Sequence, residues 1–178
     1  VRVVFRENRI VDRLEILRFL NERGLPIFST PYSILRVLDR LSCTVSLQLA
    51  CIPMPPTIIT EDVDAATAAV AHYGEAVFKP LYSTKAKGML LLTSGAEARG
   101  AVMAYNSENP IMYIQKRQDL QGKDLGIAFL GGQYLTTYAR CKTSDTWNTT
   151  TASGGKYRLY EPAPEIIELA RKAQSLFN

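Results

Sequence analysis

Lys79 is the residue best placed for chemistry on phosphates. It ends a short apolar run, shares a strand face with Val77, and is held extended by Pro80. A polar loop at 82–88 follows at once, where Ser83, Thr84, Lys85, Lys87 and Gly88 offer hydroxyls, ammonium groups and backbone N–H groups. Strand ends beside small-residue loops are common phosphate-handling positions. The plain alternative is a solvated loop whose lysines only keep the chain soluble.

Asp124 and Arg140 form a second candidate pair. They lie toward the open end of a hairpin whose strands, 125–130 and 134–140, flank Gly131-Gly132. Side chains alternate along a strand, so register decides whether they meet. A two-residue turn pairs Asp124 with Ala139 and sends Arg140 to the other face. A three-residue loop that includes Gln133 sets Asp124 opposite Arg140, where the alternative to a binding role is a surface salt bridge. The third candidate is the loop 147–155, with consecutive threonines and then Gly154-Gly155. It reads equally as a substrate or phosphate lid and as a plain connection.

Other chemistries are excluded. The sequence holds no Ser-His-Asp, Cys-His or Walker arrangement. One histidine, His72, and three cysteines without paired metal spacing, Cys43, Cys51 and Cys141, do not assemble a zinc site. The cysteines read as reduced thiols of a cytoplasmic protein. No apolar run approaches the length a membrane span needs, and no signal-peptide pattern is present. A net charge of +4 without a Lys/Arg run argues against nucleic acid and is compatible with a pocket for phosphates and acidic substrates.

The elements that position these residues follow from periodicity. With 47% hydrophobic and 21% charged residues, the 178-residue chain has the composition of a soluble globular protein with a core of its own. Residues 1–5 and 25–28 read as strands. Between them runs a helix with Ile10, Leu14, Leu17 and Leu20 on one stripe and Gly24 as its stop. Thr30-Pro31 starts a second helix, and helical pattern continues to Ala50. This order reads as the tail of a βαβ unit. Prolines at 53, 55 and 56 force extended chain and mark a boundary at or just before that stretch. Thr60 is the expected cap of the next helix, which Gly74 ends. Strands are expected at 76–80, 89–93 and 111–116, with a helix from Ser94 to about Tyr105. A last helix is expected at 163–177 with Ile166, Ile167, Ala170, Ala173 and Phe177 inward.

Taken in order, these segments resemble the ATP-grasp superfamily and, within it, the RimK-like ligases. Leu38-Asp39-Arg40-Leu41 and Ile52-Pro53-Met54-Pro55-Pro56-Thr57 resemble the family's passage into its core, and Val77-Phe78-Lys79-Pro80 the strand with the phosphate-binding lysine. The loop 82–88 falls on its glycine-rich phosphate loop. Ile114-Gln115-Lys116-Arg117 falls on the hinge strand, and Gly122-Lys123-Asp124-Leu125 on a Gly-x-Asp-Ile motif. The resemblance runs from about residue 10 onward.

It implies an α+β ATP-grasp fold with antiparallel-sheet subdomains and nucleotide bound between them. Residues 1–40 would be part of a preceding α/β domain and 41–178 the core. It further implies ATP and Mg2+ as cofactors and, as partners, a small-molecule or peptide carboxylate and an amino-acid-like amine. The amide would form through an acyl phosphate. Lys79 would hold the α- and β-phosphates, and Arg40 would replace the family's usual lysine. Ser83, Thr84, Lys85, Lys87 and Gly88 would close over the phosphates. The backbone of Gln115, Lys116, Arg117 and Gln118 would hold adenine, Asp124 the ribose, and Arg140 the γ- or acyl phosphate as the catalytic cation. Lys116 stands where the family has glutamate, and Ala86 where glycine is usual. The family's magnesium ligands lie on strands beyond a helix matching 163–177. The expectation is therefore a chain that lacks them, with no metal ligands of its own. A non-catalytic nucleotide-binding domain with a regulatory or assembly role is the alternative, and homo-oligomerisation stays open.

Overall fold

The computed structural model describes residues 10–83, 86–143 and 146–177. The expected strand at 1–5 lies outside the described residues. By contacts the chain forms two compact units. One holds the described residues up to Pro53, the hairpin tip Phe129–Tyr134 and the tail from Ala163; the other holds Met54–Ala128 and Leu135–Pro162.

The first unit is helical. Leu14 and Leu17 of α1 (Ile10–Glu22) are buried at 4% and 5% exposure, as the stripe requires. Gly24 ends α1 at φ +84, and the Leu25 N–H closes onto the Leu20 carbonyl. Residues 25–28 form no strand, contrary to expectation: Leu25 and Phe28 are exposed, and no strand lies among residues 10–53 to pair with them. The described part of this segment is therefore all helix, not the tail of a βαβ unit. Thr30 caps α2 (Pro31–Leu38) by accepting the Ser33 N–H, and Asp39 caps α3 (Arg40–Leu49) by accepting that of Leu41. Arg36 donates to the Leu176 carbonyl and to Ser46 Oγ, and stacks over Phe177. That contact ties α2 to the chain end after α6 (Pro164–Ser175), on which Ile167, Ala170 and Ala173 are half-buried and Ile166 is exposed.

The second unit carries two antiparallel sheets. Strands β1 (Thr57–Thr60), β2 (Glu75–Lys79), β3 (Leu90–Thr93) and β4 (Met112–Lys116) form the order β1-β4-β2-β3. One face is covered by α4 (Val63–Tyr73) and α5 (Ala98–Glu108). There Ala76, Phe78, Met112 and Ile114 pack with Ala66, Val70 and Val102, all at 0% exposure, and Tyr105 sets its edge on Phe78 at 5.2 Å. Each large side chain buried in this way contributes about 1.5–3 kcal/mol. The residues between them, Val77, Lys79, Tyr113 and Gln115, therefore face away from the helices.

Strand β1 had been absorbed into an expected helix start. Thr60 closes the strand, and Asp62 is the actual cap, accepting the Ala65 N–H. Ser94 is likewise not a cap. Its N–H donates to the Gly74 carbonyl, and α5 begins after Glu97.

The second sheet is β5-β6-β7, built from β5 (Lys123–Leu130), β6 (Gln133–Cys141) and β7 (Lys156–Leu159). The sequence pattern assigns no element to residues 157–159 of the third strand. All four of its residues are exposed, so it shows no burial alternation to read.

Candidate functional site

A cavity of about 420 Å³ opens within the second unit, on the helix-free face of the first sheet. Such a volume lies in the range of small-molecule sites. Seven of the residues singled out from sequence line it: Lys79, Gln115, Lys116, Arg117, Gln118, Asp124 and Arg140.

Register explains how the first sheet supplies its share. Val77 pairs with Gln115 and Lys79 with Tyr113 across β2 and β4, while Thr57 pairs with Gln115 across β1 and β4. Gln115 is 7% exposed and Tyr113 is 2% exposed. The Lys79 ammonium donates to Gln115 Oε1 at 2.5 Å. The Gln115 amide nitrogen donates to Thr57 Oγ1 at 2.9 Å and to the Tyr113 hydroxyl at 3.3 Å. Lys79 is thus anchored by a neutral group, so its charge is not cancelled by that partner.

Beyond β4 the chain turns through the hinge. The Lys116 N–H donates to the Pro56 carbonyl at 2.9 Å, and the Arg117 N–H to the Glu75 carbonyl at 3.1 Å. The Arg117 guanidinium meets the Glu75 carboxylate at 2.7 Å. Both of these N–H groups are therefore committed within the protein, and the Lys116 carbonyl accepts from the Gln118 side-chain amide at 3.4 Å.

Asp124 and Arg140 meet. Arg140 Nε and Nη2 donate to the two carboxylate oxygens at 2.9 and 2.6 Å, a fork-on-fork pair with side chains 36% and 27% exposed. The Lys142 N–H donates to the Gly122 carbonyl at 2.8 Å, as it does when Asp124 lies opposite Arg140. At this end of the hairpin the three-residue reading therefore describes the chain. The hydrogen bond to Asp124 holds the Arg140 guanidinium above its ordinary pKa, against the smaller opposing effect of burial.

Trp147, Asn148, Thr149 and Thr150 close the cavity. Sequence had marked this loop without deciding between a lid and a connection. Its geometry is built: Asn148 Oδ1 accepts the Thr150 N–H and hydroxyl, and Thr143 Oγ1 donates to the Gly154 carbonyl. Gly155 packs so tightly that a Cβ there would stand 2.2 Å from the Thr149 carbonyl oxygen.

The remaining candidates stand elsewhere. Thr84 and Lys85 lie outside the described residues. Ser83, Lys87 and Gly88 belong to the β2–β3 loop, which reaches the cavity through Ala86 and Met89 instead. Ala86 adopts φ +60, a conformation in which glycine is at ease and alanine is strained. Arg40 stands in the first turn of α3, in the other compact unit. Sequence reading missed Pro55, Met89 and Leu120, apolar residues whose place in the wall carries no local signal.

The lining suits a nucleoside phosphate: cations at Lys79, Lys116, Arg117 and Arg140, apolar area from Val77, Met89 and Leu120, and hinge backbone for a base edge. Magnesium is held by oxygen ligands: one or two carboxylates, waters and substrate phosphates. Among the described lining residues Asp124 is the one carboxylate, and Arg140 takes both its oxygens. Among the described residues no group of three or more His, Cys, Asp and Glu side chains could hold a metal ion. No helix of these residues is long and apolar enough to cross a membrane.

The fold recurs in known proteins. A RimK domain ATP-grasp protein from Sphaerobacter thermophilus superposes with a TM-score of 0.71 over 94% of this chain and 60% of its own, at 21% identity. The ATP-grasp ligase PsnB, solved with a phosphomimetic precursor variant, Mg and ADP, gives 0.68 over 95% of this chain and 51% of its own, at 16% identity. The chain has the α+β ATP-grasp fold. By sequence, the tetrahydromethanopterin:alpha-L-glutamate ligase of Methanosarcina acetivorans is 25% identical over 172 residues, which are 90% of this chain and 53% of that protein. The chain thus spans about half the length of the curated relatives it matches. No protein-family model matches it.

Proposed function

We propose that this chain is the nucleotide-binding part of an ATP-dependent carboxylate–amine ligase. One observation carries the reading: Lys79 ends β2 on the cavity face, anchored by an uncharged amide, in a cavity that Arg140 also lines. Lys79 would hold the α- and β-phosphates, and Arg140 the γ-phosphate and then the acyl phosphate. The base would lie against the 115–118 hinge and the ribose near Asp124. Ser83, Lys87 and Gly88 would lie over the phosphates.

In the reaction a substrate carboxylate oxygen attacks the γ-phosphorus and ADP leaves. The amine nitrogen then attacks the acyl carbon, phosphate leaves, and the nitrogen loses a proton. The contribution of these residues is to position and to neutralise charge. Magnesium supplies charge neutralisation in such reactions, and none of the described residues is assigned to it. Glutamate ligases among the relatives support an α-amino acid as the amine partner.

Thermal unfolding with and without millimolar Mg-ATP tests the reading. At about a hundred times its dissociation constant the nucleotide should add roughly 2.7 kcal/mol. Lys79→Ala should abolish that gain. A wild-type chain that gains nothing refutes a nucleotide site here, and an equal gain in Lys79→Ala refutes the role of Lys79.

A further inference from the structure

We propose that Thr57, which does not line the cavity, is a positioning residue that sets the place of the Lys79 ammonium through the orientation of the Gln115 amide. The inference rests on the nucleotide site just described. It follows from counting protons along one chain of hydrogen bonds.

Thr57 Oγ1 donates its single proton to the Pro55 carbonyl at 2.8 Å. The hydroxyl then has only lone pairs to offer Gln115, so the amide must turn its nitrogen toward Thr57, where the distance is 2.9 Å. The Tyr113 hydroxyl accepts from the same nitrogen. With the nitrogen placed, Gln115 Oε1 must face Lys79. An ammonium has donors and no acceptor, so of the two amide atoms only the oxygen can accept from it. A flipped amide would set N–H against N–H. At 7% exposure Gln115 has little water with which to replace a lost partner. The chain Lys79 → Gln115 → Thr57 → Pro55 is thus directional from end to end, and Thr57 is the switch that gives it one direction.

Register makes the arrangement local to the sheet. Gln115 lies between Thr57 on β1 and Val77 on β2, so the amide bridges three strands, and the Lys79 carbon chain leaves β2 alongside it. Valine has the shape of threonine and is at home in a strand. Thr57→Val therefore removes the acceptor with little change in packing, whereas Thr57→Ser keeps it.

The test is calorimetric titration with Mg-ATP of wild type, Thr57→Val, Thr57→Ser and Gln115→Leu, with 15N NMR of the Lys79 ammonium. Thr57→Val and Gln115→Leu should each weaken nucleotide binding about tenfold, and Thr57→Ser should stay within about twofold of wild type. Proton exchange at the Lys79 ammonium should be slow in wild type and Thr57→Ser and faster in Thr57→Val. Wild-type affinity in Thr57→Val, or equal loss in Thr57→Ser and Thr57→Val, overturns the proposal. If wild type binds no nucleotide, the nucleotide reading falls by itself. Unchanged Lys79 exchange in Thr57→Val then overturns the positioning role, and faster exchange upholds it. Should Thr57→Val not fold, Gln115→Leu with wild-type affinity or unchanged Lys79 exchange overturns it.

Discussion

Two sheets supply the cavity with one principal cation each, and they hold it differently. Lys79 on the first sheet is held by the neutral amide of Gln115, itself fixed by Thr57 and Tyr113. Arg140 on the second is held in a fork by the carboxylate of Asp124. A neutral anchor orients a cation and leaves its field intact for an arriving anion. An anionic anchor orients it more strongly and cancels much of that field. The first sheet also has a helix-covered core behind it, whereas β7 at the edge of the second is exposed along its whole length. The first sheet is therefore the more rigidly backed side of the site.

The core behind Lys79 should give the largest effect. Phe78→Ala empties a site of 0% exposure and is expected to cost about 3–5 kcal/mol in urea unfolding. A loss below about 1 kcal/mol would show that the first sheet is not the stable one. Next come two tightly packed glycines of the second wall. At Gly155 a Cβ meets backbone, and Gly155→Ala should cost about 1–3 kcal/mol. At Gly126 it meets only the ring end of Tyr138, so Gly126→Ala should cost less and show chiefly as a changed Tyr138 environment in NMR.

Asp124→Asn makes the second anchor resemble the first. Freed of a neighbouring negative charge, the site should bind ATP about threefold more tightly at low salt, with the gain shrinking as salt rises. Weaker binding would instead mean that the ribose contact proposed for Asp124 outweighs the freed charge of Arg140. Leu159→Ala should be the smallest change, within about 0.5 kcal/mol of wild type, because the side chain is 93% exposed. A larger loss would reveal that the edge of the second sheet is covered in solution.

The local parts of this fold were legible because their signals are local. The stripe of Leu14 and Leu17, the caps at Thr30 and Gly74, the run ending at Lys79 and the Gly131-Gly132 turn each act within a few residues, and each appears in the structure. The errors came where a partner decided the outcome. Residues 25–28 have strand-like types, and none of the described strands pairs with them. Residues 57–60 and 156–159 became strands because β4 and β6 lie beside them.

The same division runs through the site. Sequence by itself determined which residues carry charge, that Lys79 ends a strand before a polar loop, and an order of motifs that resembles the ATP-grasp ligases. Only the tertiary structure decided that Asp124 meets Arg140, because one residue of register separates meeting from opposite faces. It alone chose Gln115 as the anchor of Lys79, since residues 36 apart in sequence become neighbours only by lying on adjacent strands. And it alone made Thr57 the residue that orients that anchor, because a hydroxyl has one proton, and the fold decides where that proton goes.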